Sequence, residues 1–373
     1  MKTAIVILNW NTRDYLDKFL PALLESAHCA PDGTPLGETE VIVADNASTD
    51  GSLALLGEKY AGVRLIPLDR NYGFTGGYNR ALARLEGFDY FVLMNSDIEV
   101  APGWLEPLTD WMDTHPDCAV CAPKLHSYQQ RGRFEYAGAA GGYLDRFGYP
   151  FCRGRALQQV EDDHGQYDDA PADVFWATGA CLLVWASLFD GLDDRFFAHM
   201  EEIDLCWRLQ LRGYRITVVP DSTVWHVGGG TLPNNSPFKL RLNFRNNLLM
   251  LDTNLGKTLA LRAMRSGLSA AKAARKGLRQ AARVRLVRML LDGCSALVYL
   301  CTLRFSFLRA VIQAHREYRR LRIVPDAAQV ARWLENCPPQ TVVRGLYGKW
   351  MVPLALFGGR RIFSAIKRTS NFW

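Results

Sequence analysis

The sequence lacks the features that direct a protein out of the cell or across a membrane. Residues 1–9 carry one charge, a very short apolar run and no small-residue cleavage site, which is typical of a first β-strand and not of a signal peptide. Residues 289–303 are apolar apart from Asp292, but they are too few to span about 30 Å of hydrocarbon. We therefore expect a cytoplasmic protein without a membrane-spanning helix.

The cysteines lack the arrangement of a disulfide framework or a zinc site. Their number, nine, is odd, and they are scattered along 373 residues. Cys118 and Cys121 have CxxC spacing, but no second pair follows and no histidine pair is suitably spaced. Two small residues in a buried strand are the favoured interpretation, and the thiols are expected to be reduced, as in the cytoplasm.

The GxGxxG fingerprint of nicotinamide dinucleotide sites is absent as well. The glycine-containing segment 71–79 reads Asn-Tyr-Gly-Phe-Thr-Gly-Gly-Tyr-Asn and follows an apolar run. Glycine at a strand-to-helix junction lets the backbone approach a ligand, and a helix N-terminus favours anions. The segment therefore predicts a ligand-facing loop, with a plain tight turn as the alternative.

Short apolar runs alternate with helical segments through the first 123 residues. This alternation predicts βαβ units, and therefore an α/β fold with a Rossmann-like, mostly parallel sheet flanked by helices. Residues 126–172 are loop-like, residues 215–219 predict a strand closed by Pro220, and helices dominate from residue 238. The predicted strands are 3–9, 40–45, 63–68, 88–94 and 118–123, and the predicted helices are 13–27, 52–60, 75–85 and 102–114.

Two of the predicted strands end near an aspartate. Asp97 follows the strand 88–94, and ligands of open α/β sheets lie beyond the carboxyl ends of such strands. A carboxylate there suits Mg²⁺, which binds one or two carboxylates together with substrate phosphates. Asp45 ends an earlier strand and is placed to accept the imide N–H of a uracil or thymine base. Helix capping is the alternative for both aspartates. His226, at a later strand end, is either structural or a second metal ligand.

Three acids within four residues, Glu201, Glu202 and Asp204, lie at a predicted helix start. One interpretation is compensation of the helix dipole. The other is that one carboxylate is a general base near a reacting hydroxyl group. Phe196 and Phe197 precede them and can supply an apolar wall that raises a carboxyl pKa.

Positive charge is concentrated near the C-terminus. Residues 257–322 carry 16 Lys and Arg against two acids, a net charge of +14, whereas the whole chain is +6 and the remainder is therefore −8. The mixture of basic residues with Leu, Val, Phe and Tyr favours amphipathic helices on an anionic membrane surface. A helical bundle with a solvated basic face is the alternative. Nucleic acid is not an expected partner, because no recognised nucleic-acid motif is present.

Six ordered motifs lie within residues 1–250: residues 6–11 (VILNWN), 45–52 (DNASTDGS), 71–79 (NYGFTGGYN), 95–97 (NSD), 201–208 (EEIDLCWR) and 225–226 (WH). Together they resemble the family 2 glycosyltransferases of the GT-A fold, and most closely the bacterial rhamnosyltransferase-like branch. The resemblance implies an inverting, metal-dependent transfer of a sugar from a UDP- or dTDP-linked donor. The implied acceptor is a hydroxyl group of a saccharide or lipid-linked saccharide in cell-surface polysaccharide synthesis. We accordingly predict a catalytic domain, residues 1–250, and a basic, membrane-associating helical region, residues 251–373.

The resemblance also assigns roles to individual residues. Glu202 is implied to be the catalytic base, and Asp45 to bind the nucleotide base. Asp97 and His226 are implied to hold Mg²⁺ or Mn²⁺. The other residues expected along the nucleotide-sugar are Asn9, Asn46, Asp50, Asn71, Gly73, Asn79, Asn95, Ser96 and, through the donor phosphate, Arg245. Those expected around the sugar and acceptor pocket are Trp176, Gly179, Glu201 and Asp204.

Two positions depart from the family pattern. Asn95 stands at the first position of the DXD motif, so a carboxylate contact to ribose is lost and the metal site carries one less negative charge. Glu202 stands where the family usually has Asp, which leaves Glu201 and Asp204 as alternative bases. These departures keep a second hypothesis open, a sugar-nucleotide- or glycan-binding protein that has lost catalysis.

Overall fold

The computed structural model describes residues 1–27, 37–229, 235–357, 359 and 362–363. The strands are β1 (Thr3–Asn9), β2 (Thr39–Asp45), β3 (Arg64–Pro67), β4 (Tyr90–Asn95), β5 (Ile98–Val100), β6 (Cys118–Ser127), β7 (Gly142–Asp145), β8 (Pro150–Cys152), β9 (Arg155–Ala156), β10 (Gln159–Val160), β11 (Ala172–Asp173), β12 (Cys181–Trp185), β13 (Arg215–His226) and β14 (Leu346–Tyr347). The helices are α1 (Arg13–Ser26), α2 (Ser52–Lys59), α3 (Gly73–Leu82), α4 (Glu106–Thr114), α5 (Glu201–Leu211), α6 (Pro237–Arg265), α7 (Ala270–Cys301), α8 (Phe305–Leu321), α9 (Ala327–Asn336) and α10 (Met351–Phe357).

A nine-stranded central sheet has the order β11-β13-β6-β12-β4-β1-β2-β3, with β5 paired to β13. Strands β4, β1, β2 and β3 are parallel, as the alternation of strands and helices predicted, and the α/β class is confirmed. Strand β12 runs antiparallel between β4 and β6, so the sheet as a whole is mixed. Parallel pairing places Asn9 beside Asp45, and Leu8 beside Asn95, at the carboxyl ends of three strands.

The central sheet is buried on both faces. Ala4 of β1 lies in one apolar core with Trp207 of α5, whereas Ile5 lies in the other core with Leu16 of α1. Successive side chains point to opposite faces of a strand, so each face receives its own apolar set. This is why continuous apolar runs, and not alternating ones, mark these strands in the sequence.

Strand β13 is longer than predicted. Residues 215–226 form one strand, whereas the sequence predicted a strand that stops at Pro220, and that prediction is wrong. The pairing with β6 shifts register between Val219 and Thr223. Such an irregularity accommodates proline, which has no N–H to donate to the ladder. The continuation carries the strand on to His226.

Residues 142–160, which the sequence predicted to be loop-like, contribute four strands to a second sheet. Its order is β10-β9-β8-β7-β14, so the last strand comes from the far end of the chain. The second sheet packs closely on the segment before β12. Trp176 donates from Nε1 to the Tyr143 carbonyl at 3.0 Å, and a Cβ atom on Gly142 would lie 1.9 Å from the Trp176 ring. Only glycine fits at that position.

Helix α6 joins the C-terminal helices to the central sheet. Trp207 Nε1 donates to Thr258 Oγ1 at 2.8 Å, and Asn254 donates to Asp204 Oδ1 at 2.6 Å. The predicted domain boundary at residue 250 lies inside this continuous helix. The division into residues 1–250 and 251–373 stays a prediction.

Buried ion pairs connect α6, α7 and α8. Asp252 of α6 pairs with Arg285 of α7 and with Arg322 just after α8. Asp292 is 1% exposed and pairs with Arg288 at 2.9 Å. Part of the basic charge in residues 257–322 therefore lies inside the helical packing. None of the helices in the described part of the chain combines the length and the apolar character that a membrane crossing needs.

The cysteines within the described residues are free thiols. Cys118 and Cys121 are buried in β6, in agreement with the strand interpretation. Burial raises the pKa of the Cys118 thiol to about 11, so this thiol is unreactive at neutral pH. Cys29 lies outside the described residues.

Candidate active site

One hydrogen-bond network ties the ends of β1, β2 and β4 together. Asn9 donates from Nδ2 to Asp45 Oδ1 at 2.7 Å and to Ser48 Oγ at 3.0 Å. The Thr12 hydroxyl lies 2.5 Å from Asn9 Oδ1 and 2.7 Å from Ser96 Oγ, so it bridges β1 to the tip of β4. Asn9, Asp45 and Ser96, which were predicted from three separate strands, are therefore brought together.

Asp45 is buried at the centre of this network, with 0% of its surface exposed. Its Oδ2 atom accepts the Ser48 backbone N–H at 2.9 Å, and its Oδ1 atom accepts the Asn9 amide. Each carboxylate oxygen has two lone pairs, so acceptor capacity remains for the N–H of a base. An open depression lined by Asp50 and the first turn of α1 shares Thr12 with the network.

The segment 71–79 forms most of α3 and is tied to the end of β2. Asn46 donates from Nδ2 to Asn71 Oδ1 and to the Gly73 carbonyl, both at 3.0 Å. Gly73 has a φ of 70°, and a Cβ atom there would lie 2.5 Å from the Phe197 carbonyl oxygen. Glycine is required because α3 begins in close contact with the segment that precedes α5.

Asp97 and His226 face each other beyond the ends of β4 and β13. His226 Nε2 lies 3.2 Å from Asp97 Oδ1, and the Gly228 N–H donates to Asp97 Oδ2 at 3.2 Å. Asn95 Nδ2 lies 3.4 Å from the same ring nitrogen. Asp97 and His226 are 7% and 6% exposed. The two predicted metal ligands are therefore neighbours, with Asn95 beside them.

Glu135, which was not predicted, lies on the other side of the His226 ring. Its Oε1 atom is 3.7 Å from His226 Nδ1. Burial disfavours the charged ring, but the contact with Asp97 at 3.2 Å and the negative charges of Asp97 and Glu135 outweigh burial and raise the pKa of His226 to about 10. The same contact with His226 overcomes burial at Asp97 and lowers the pKa of its carboxyl group. These contacts favour the protonated form of the ring, which lies between the two carboxylates.

The Asp97–His226 pair fits a divalent cation as part of a larger ligand set. Asp97 would supply the oxygen that Mg²⁺ and Mn²⁺ prefer, and His226 would supply a nitrogen after loss of its proton. Among the described residues, no group of three or more His, Cys, Asp or Glu side chains is arranged to hold a metal ion. A cation at this pair therefore depends on further oxygens from a bound diphosphate, which is the usual arrangement for Mg²⁺.

Glu201 and Glu202 begin α5. Burial raises the pKa of Glu202 to about 7. Burial and the charge of Glu202 raise the pKa of Glu201 well above its usual range. The Oε2 atoms of both accept no hydrogen bond from the described residues.

A Cβ atom on Gly179 would lie 3.4 Å from Glu202 Cβ and from Phe74 Cζ, so the missing side chain leaves room beside Glu202. Glu201 is 5% exposed and Glu202 is more accessible. The Glu202 Oε2 atom itself is buried, and a carboxylate with a near-neutral pKa suits a general base.

Asp204, the third acid of α5, is already paired. Its Oδ2 atom accepts from Arg208 Nε at 2.8 Å, and its Oδ1 atom accepts from Asn254 at 2.6 Å. It is 1% exposed. These contacts tie α5 to α6, so the arrangement favours Glu202 over Asp204 as the base.

Asp50 and Asn79 make contacts within the protein. Asp50 accepts the Ser52 N–H at 3.0 Å and the Arg13 N–H at 2.8 Å, which holds the start of α2 against α1. Asn79 donates to the Leu192 carbonyl at 2.8 Å and accepts the N–H of the same residue at 2.8 Å. Both side chains therefore hold parts of the protein together in the structure. Their contacts with the nucleotide-sugar stay predictions.

Trp176 and Arg245 are buried at 3% and 7% exposure. The Trp176 indole is held by Tyr143 in the second sheet, as described above. Arg245 pairs with Glu317 of α8 at 2.8 Å and donates to the Phe196 carbonyl at 2.8 Å. A phosphate contact from Arg245 would require these bonds to rearrange, and it stays a prediction.

Four residues of this region were missed: Thr12, Ser48, Glu135 and Asn246. Thr12 follows the motif 6–11 and Ser48 lies within the motif 45–52. Their polar side chains in or next to a motif were the feature of the sequence from which their place in the site could have been predicted. Glu135 lies in the segment interpreted as a loop, and Asn246 follows Arg245 in a helix. Neither of these carries a signal in the sequence that distinguishes it.

Comparisons with known proteins agree with this geometry. The model of glycosyl transferase family 2 matches residues 4–167. An N-acetylglucosaminyl-diphospho-decaprenol L-rhamnosyltransferase of Mycobacterium tuberculosis is 28% identical over 239 residues, which cover 60% of this chain and 75% of the relative. Rhamnosyltransferase WbbL of Escherichia coli is 29% identical over 234 residues, which cover 58% of this chain and 80% of the relative.

A solved structure is similar in fold. The structure of GalNAc-T7 with UDP, GalNAc and Mn²⁺ aligns with a TM-score of 0.50 at 14% identity. The alignment covers 72% of this chain and 51% of that one, so this chain spans about half the length of that protein. At this identity the likeness shows the fold alone. The comparisons therefore show that residues 4–167 are similar to glycosyl transferase family 2, and that about 60% of the chain is similar to bacterial rhamnosyltransferases.

Proposed function

We propose that this protein is a family 2 glycosyltransferase, and that it moves a sugar, with inversion at the anomeric carbon, from a UDP- or dTDP-linked donor to a hydroxyl group of a lipid-linked saccharide in cell-surface polysaccharide synthesis. The observation that carries the proposal is the hydrogen-bond network that joins Asp45, Asn9 and Ser96 next to Asp97. The relative named an L-rhamnosyltransferase of N-acetylglucosaminyl-diphospho-decaprenol supports a deoxyhexose donor and a polyprenyl-diphosphate saccharide acceptor.

The proposed reaction is a single in-line displacement. Glu202 takes the proton of the acceptor hydroxyl as that oxygen attacks the anomeric carbon. The bond from the anomeric carbon to the diphosphate breaks, and the nucleoside diphosphate leaves with the electron pair. Attack opposite the leaving group inverts the anomeric configuration. Asp45 is proposed to hold the nucleotide base, and Gly179 to leave space for sugar and acceptor beside Glu202.

We propose that Asp97 and His226 hold Mg²⁺ or Mn²⁺ together with the donor diphosphate. The bound cation would supply Lewis-acid stabilisation of the leaving group, which is worth several kcal/mol in such enzymes. The fit of Asp97 and His226 to such a cation supports this proposal. Because Asn95 replaces an acid here, the site has fewer negative charges than a DXD motif provides.

A donor panel tests the function. The full-length protein should be incubated with Mn²⁺, with UDP-, dTDP- and GDP-sugars, and with N-acetylglucosaminyl-diphospho-polyprenol as acceptor. We expect a disaccharide product from a UDP- or dTDP-linked donor, with the inverted anomer identified by NMR. Binding of donors without release of nucleoside diphosphate would instead favour the second candidate, a sugar-nucleotide-binding protein. The second candidate is retained because Asn95 stands where the DXD motif has an acid.

The rate of transfer should rise with pH and level off above a midpoint near the pKa of Glu202, about 7. The sign follows because burial raises this pKa, so the carboxyl group is protonated, and inactive as a base, at acidic pH. The measurement is kcat as a function of pH with saturating donor. A kcat that stays constant between about pH 5 and pH 8 would contradict the assignment.

A surface of α7 and α8 carries exposed basic and apolar side chains, and we call it the basic–apolar surface. Its basic members are Lys272, Arg275, Lys276, Arg279 and Arg283, and its exposed apolar members include Leu286, Leu290, Leu297, Val298, Leu303 and Phe305. Leu303 is 72% exposed at the corner between the two helices. We propose that this surface lies on anionic lipid at the inner face of the plasma membrane, with residues 251–373 as the membrane-associating region and residues 1–250 as the catalytic domain.

Vesicle flotation can distinguish binding through the basic–apolar surface from binding through basic residues elsewhere on the protein. Replacing Arg275, Lys276, Arg279 and Arg283 by Gln should lower affinity for phosphatidylglycerol vesicles by about 100-fold or more, because each basic residue contributes about 1 kcal/mol at an anionic surface. The matched control replaces four exposed basic residues of the first half, Lys18, Lys59, Arg64 and Arg84, by Gln and should retain binding. Equal losses in the two variants, or no binding by the unmodified protein, would refute the membrane proposal.

A further inference from the structure

The segment immediately before α5 has an unusual backbone. Phe197, His199 and Met200 have φ angles of 65°, 71° and 75°, in the left-handed region that residues other than glycine rarely adopt. Such conformations persist only where surrounding contacts determine them, and they cluster at functional sites. Helix α5 then begins with Glu201 and Glu202. The path of this segment therefore sets where the two carboxylates lie.

Asn246 of α6 holds this segment through its side chain. It is 0% exposed, and its Nδ2 atom lies 2.9, 2.8 and 2.8 Å from the carbonyl oxygens of Phe196, Ala198 and His199. The two N–H groups of this amide thus serve three carbonyls within four consecutive residues, so one N–H is shared between two of them. A left-handed backbone turns its carbonyls away from the usual helical direction, and the Asn246 side chain lies within hydrogen-bond distance of these three.

Arg245 and Glu317 orient that amide. Arg245 donates from Nε to Asn246 Oδ1 at 2.9 Å, which directs the Nδ2 atom of Asn246 toward the carbonyls. Arg245 also donates from Nη2 to the Phe196 carbonyl at 2.8 Å. Glu317 of α8 accepts from Arg245 Nη1 at 2.8 Å. A hydrogen-bonded chain therefore runs from α8 through α6 to the segment before α5.

Glu202 has little else to fix its position. Its Oε2 atom accepts no hydrogen bond from the described residues, whereas Asp204 in the same helix is bound by Arg208 and Asn254. The groups that act on its carboxylate by hydrogen bonding are backbone N–H groups at the start of the same helix, so the location of Glu202 depends on the backbone from which it extends. Catalytic groups must be held close to the productive geometry, because displacement by about 1 Å can cost about 100-fold in rate.

We propose that Asn246, oriented by Arg245 and Glu317, is a positioning residue that sets the place of the Glu202 carboxylate relative to the acceptor. The inference rests on the proposed function, because it assigns Asn246 to the support of the proposed base. Asn246 does not contact substrate in this proposal. It acts only through the backbone of residues 196–200.

The test is Asn246→Asp, with Asn247→Asp as its matched control. The substitution at residue 246 retains an acceptor for Arg245 but replaces the donating amide by an oxygen that repels the three carbonyls. Asn247 is the next residue of α6 and is also 0% exposed, but its amide donates to the Gly148 carbonyl. Both variants place a carboxylate in the same buried helix, so both should lower the melting temperature.

Only Asn246→Asp should change the chemistry. We expect kcat to fall by about 10- to 100-fold, the donor KM to stay within about twofold, and the pH midpoint of kcat to move. Asn247→Asp should retain the kcat and the pH midpoint of the unmodified protein. Losses of kcat that match in the two variants would overturn the proposal, as would a change confined to KM.

A second measurement keeps this inference separate from the proposed function. Hydrogen exchange of the backbone amides of residues 196–202 should be faster in full-length Asn246→Asp than in Asn247→Asp, whether or not a sugar donor is known. If the unmodified protein transfers no sugar from any donor of the panel, the proposed function fails. If exchange in residues 196–202 is the same in both variants, Asn246 does not hold the segment and the positioning role fails.

Discussion

Glu202→Gln should lower the rate of sugar transfer by about 10²- to 10⁴-fold, the range that a positioned general base contributes. Glutamine has nearly the same shape as glutamate but does not accept the proton of the acceptor hydroxyl. Donor binding should persist, because the hydrogen-bond network around Asp45 is formed by other elements. The measurements are kcat with the donor identified by the panel, and the affinity for UDP or dTDP by calorimetry.

Two further variants make this result specific. Glu202→Asp keeps a carboxylate one methylene shorter, as the family usually has, and should retain more activity than Glu202→Gln. Glu201→Gln removes the neighbouring acid, which is only 5% exposed, and should affect transfer less than Glu202→Gln. Turnover by purified Glu202→Gln at the rate of the unmodified protein would refute the assignment. A larger loss in Glu201→Gln would transfer the role of base to that residue.

The elements of the first half of the chain could be predicted because their signals are local. Each of β1, β2 and β4 is a short apolar run that ends at a polar residue, and each is followed by a helix or turn with its own pattern. The second sheet could not be predicted, because its strands are two to four residues long and β14 pairs with β7 about 200 residues away in sequence. Such short strands exist through tertiary pairing and have no period of their own.

The candidate site divides in the same way. Asp45 and Asp97 could be predicted because each follows an apolar strand, and parallel strands place their carboxyl ends at one edge, whereas Asn9 and Ser96 were implied by the family resemblance. The spacing of residues in the sequence does not predict which neighbours a long side chain contacts. Arg245 is basic and adjacent to a motif, yet it points at Glu317 and the Phe196 carbonyl. Glu135 became a neighbour of His226 only because β13 continues beyond Pro220 and brings His226 to that segment.

Asp97→Asn should lower the rate of transfer by about 10²-fold or more, because Lewis-acid stabilisation is worth several kcal/mol and each 1.36 kcal/mol is tenfold in rate. The amide is a weaker ligand than the carboxylate for a hard cation, and Asn95 beside it already lacks a charge. Binding of Mn²⁺ in the presence of UDP should weaken in parallel, which calorimetry or electron paramagnetic resonance can measure without turnover. Retention of both Mn²⁺ affinity and transfer would exclude Asp97 as the metal ligand.

The stability cost of Asp97→Asn needs its own control, because the change also removes the partner of His226. Asp163 provides one, since it is a low-exposure carboxylate 2.7 Å from His126 Nε2, at the end of β6 and outside the candidate site. Asp163→Asn should lower the melting temperature by a similar mechanism, loss of the pairs that this carboxylate makes with His126 and with Lys124, while Mn²⁺ affinity and kcat are retained. If the two variants lose activity equally and in proportion to their melting temperatures, the effect at Asp97 is one of folding. If only Asp97→Asn loses Mn²⁺ binding and transfer, the carboxylate acts on the donor diphosphate through the cation.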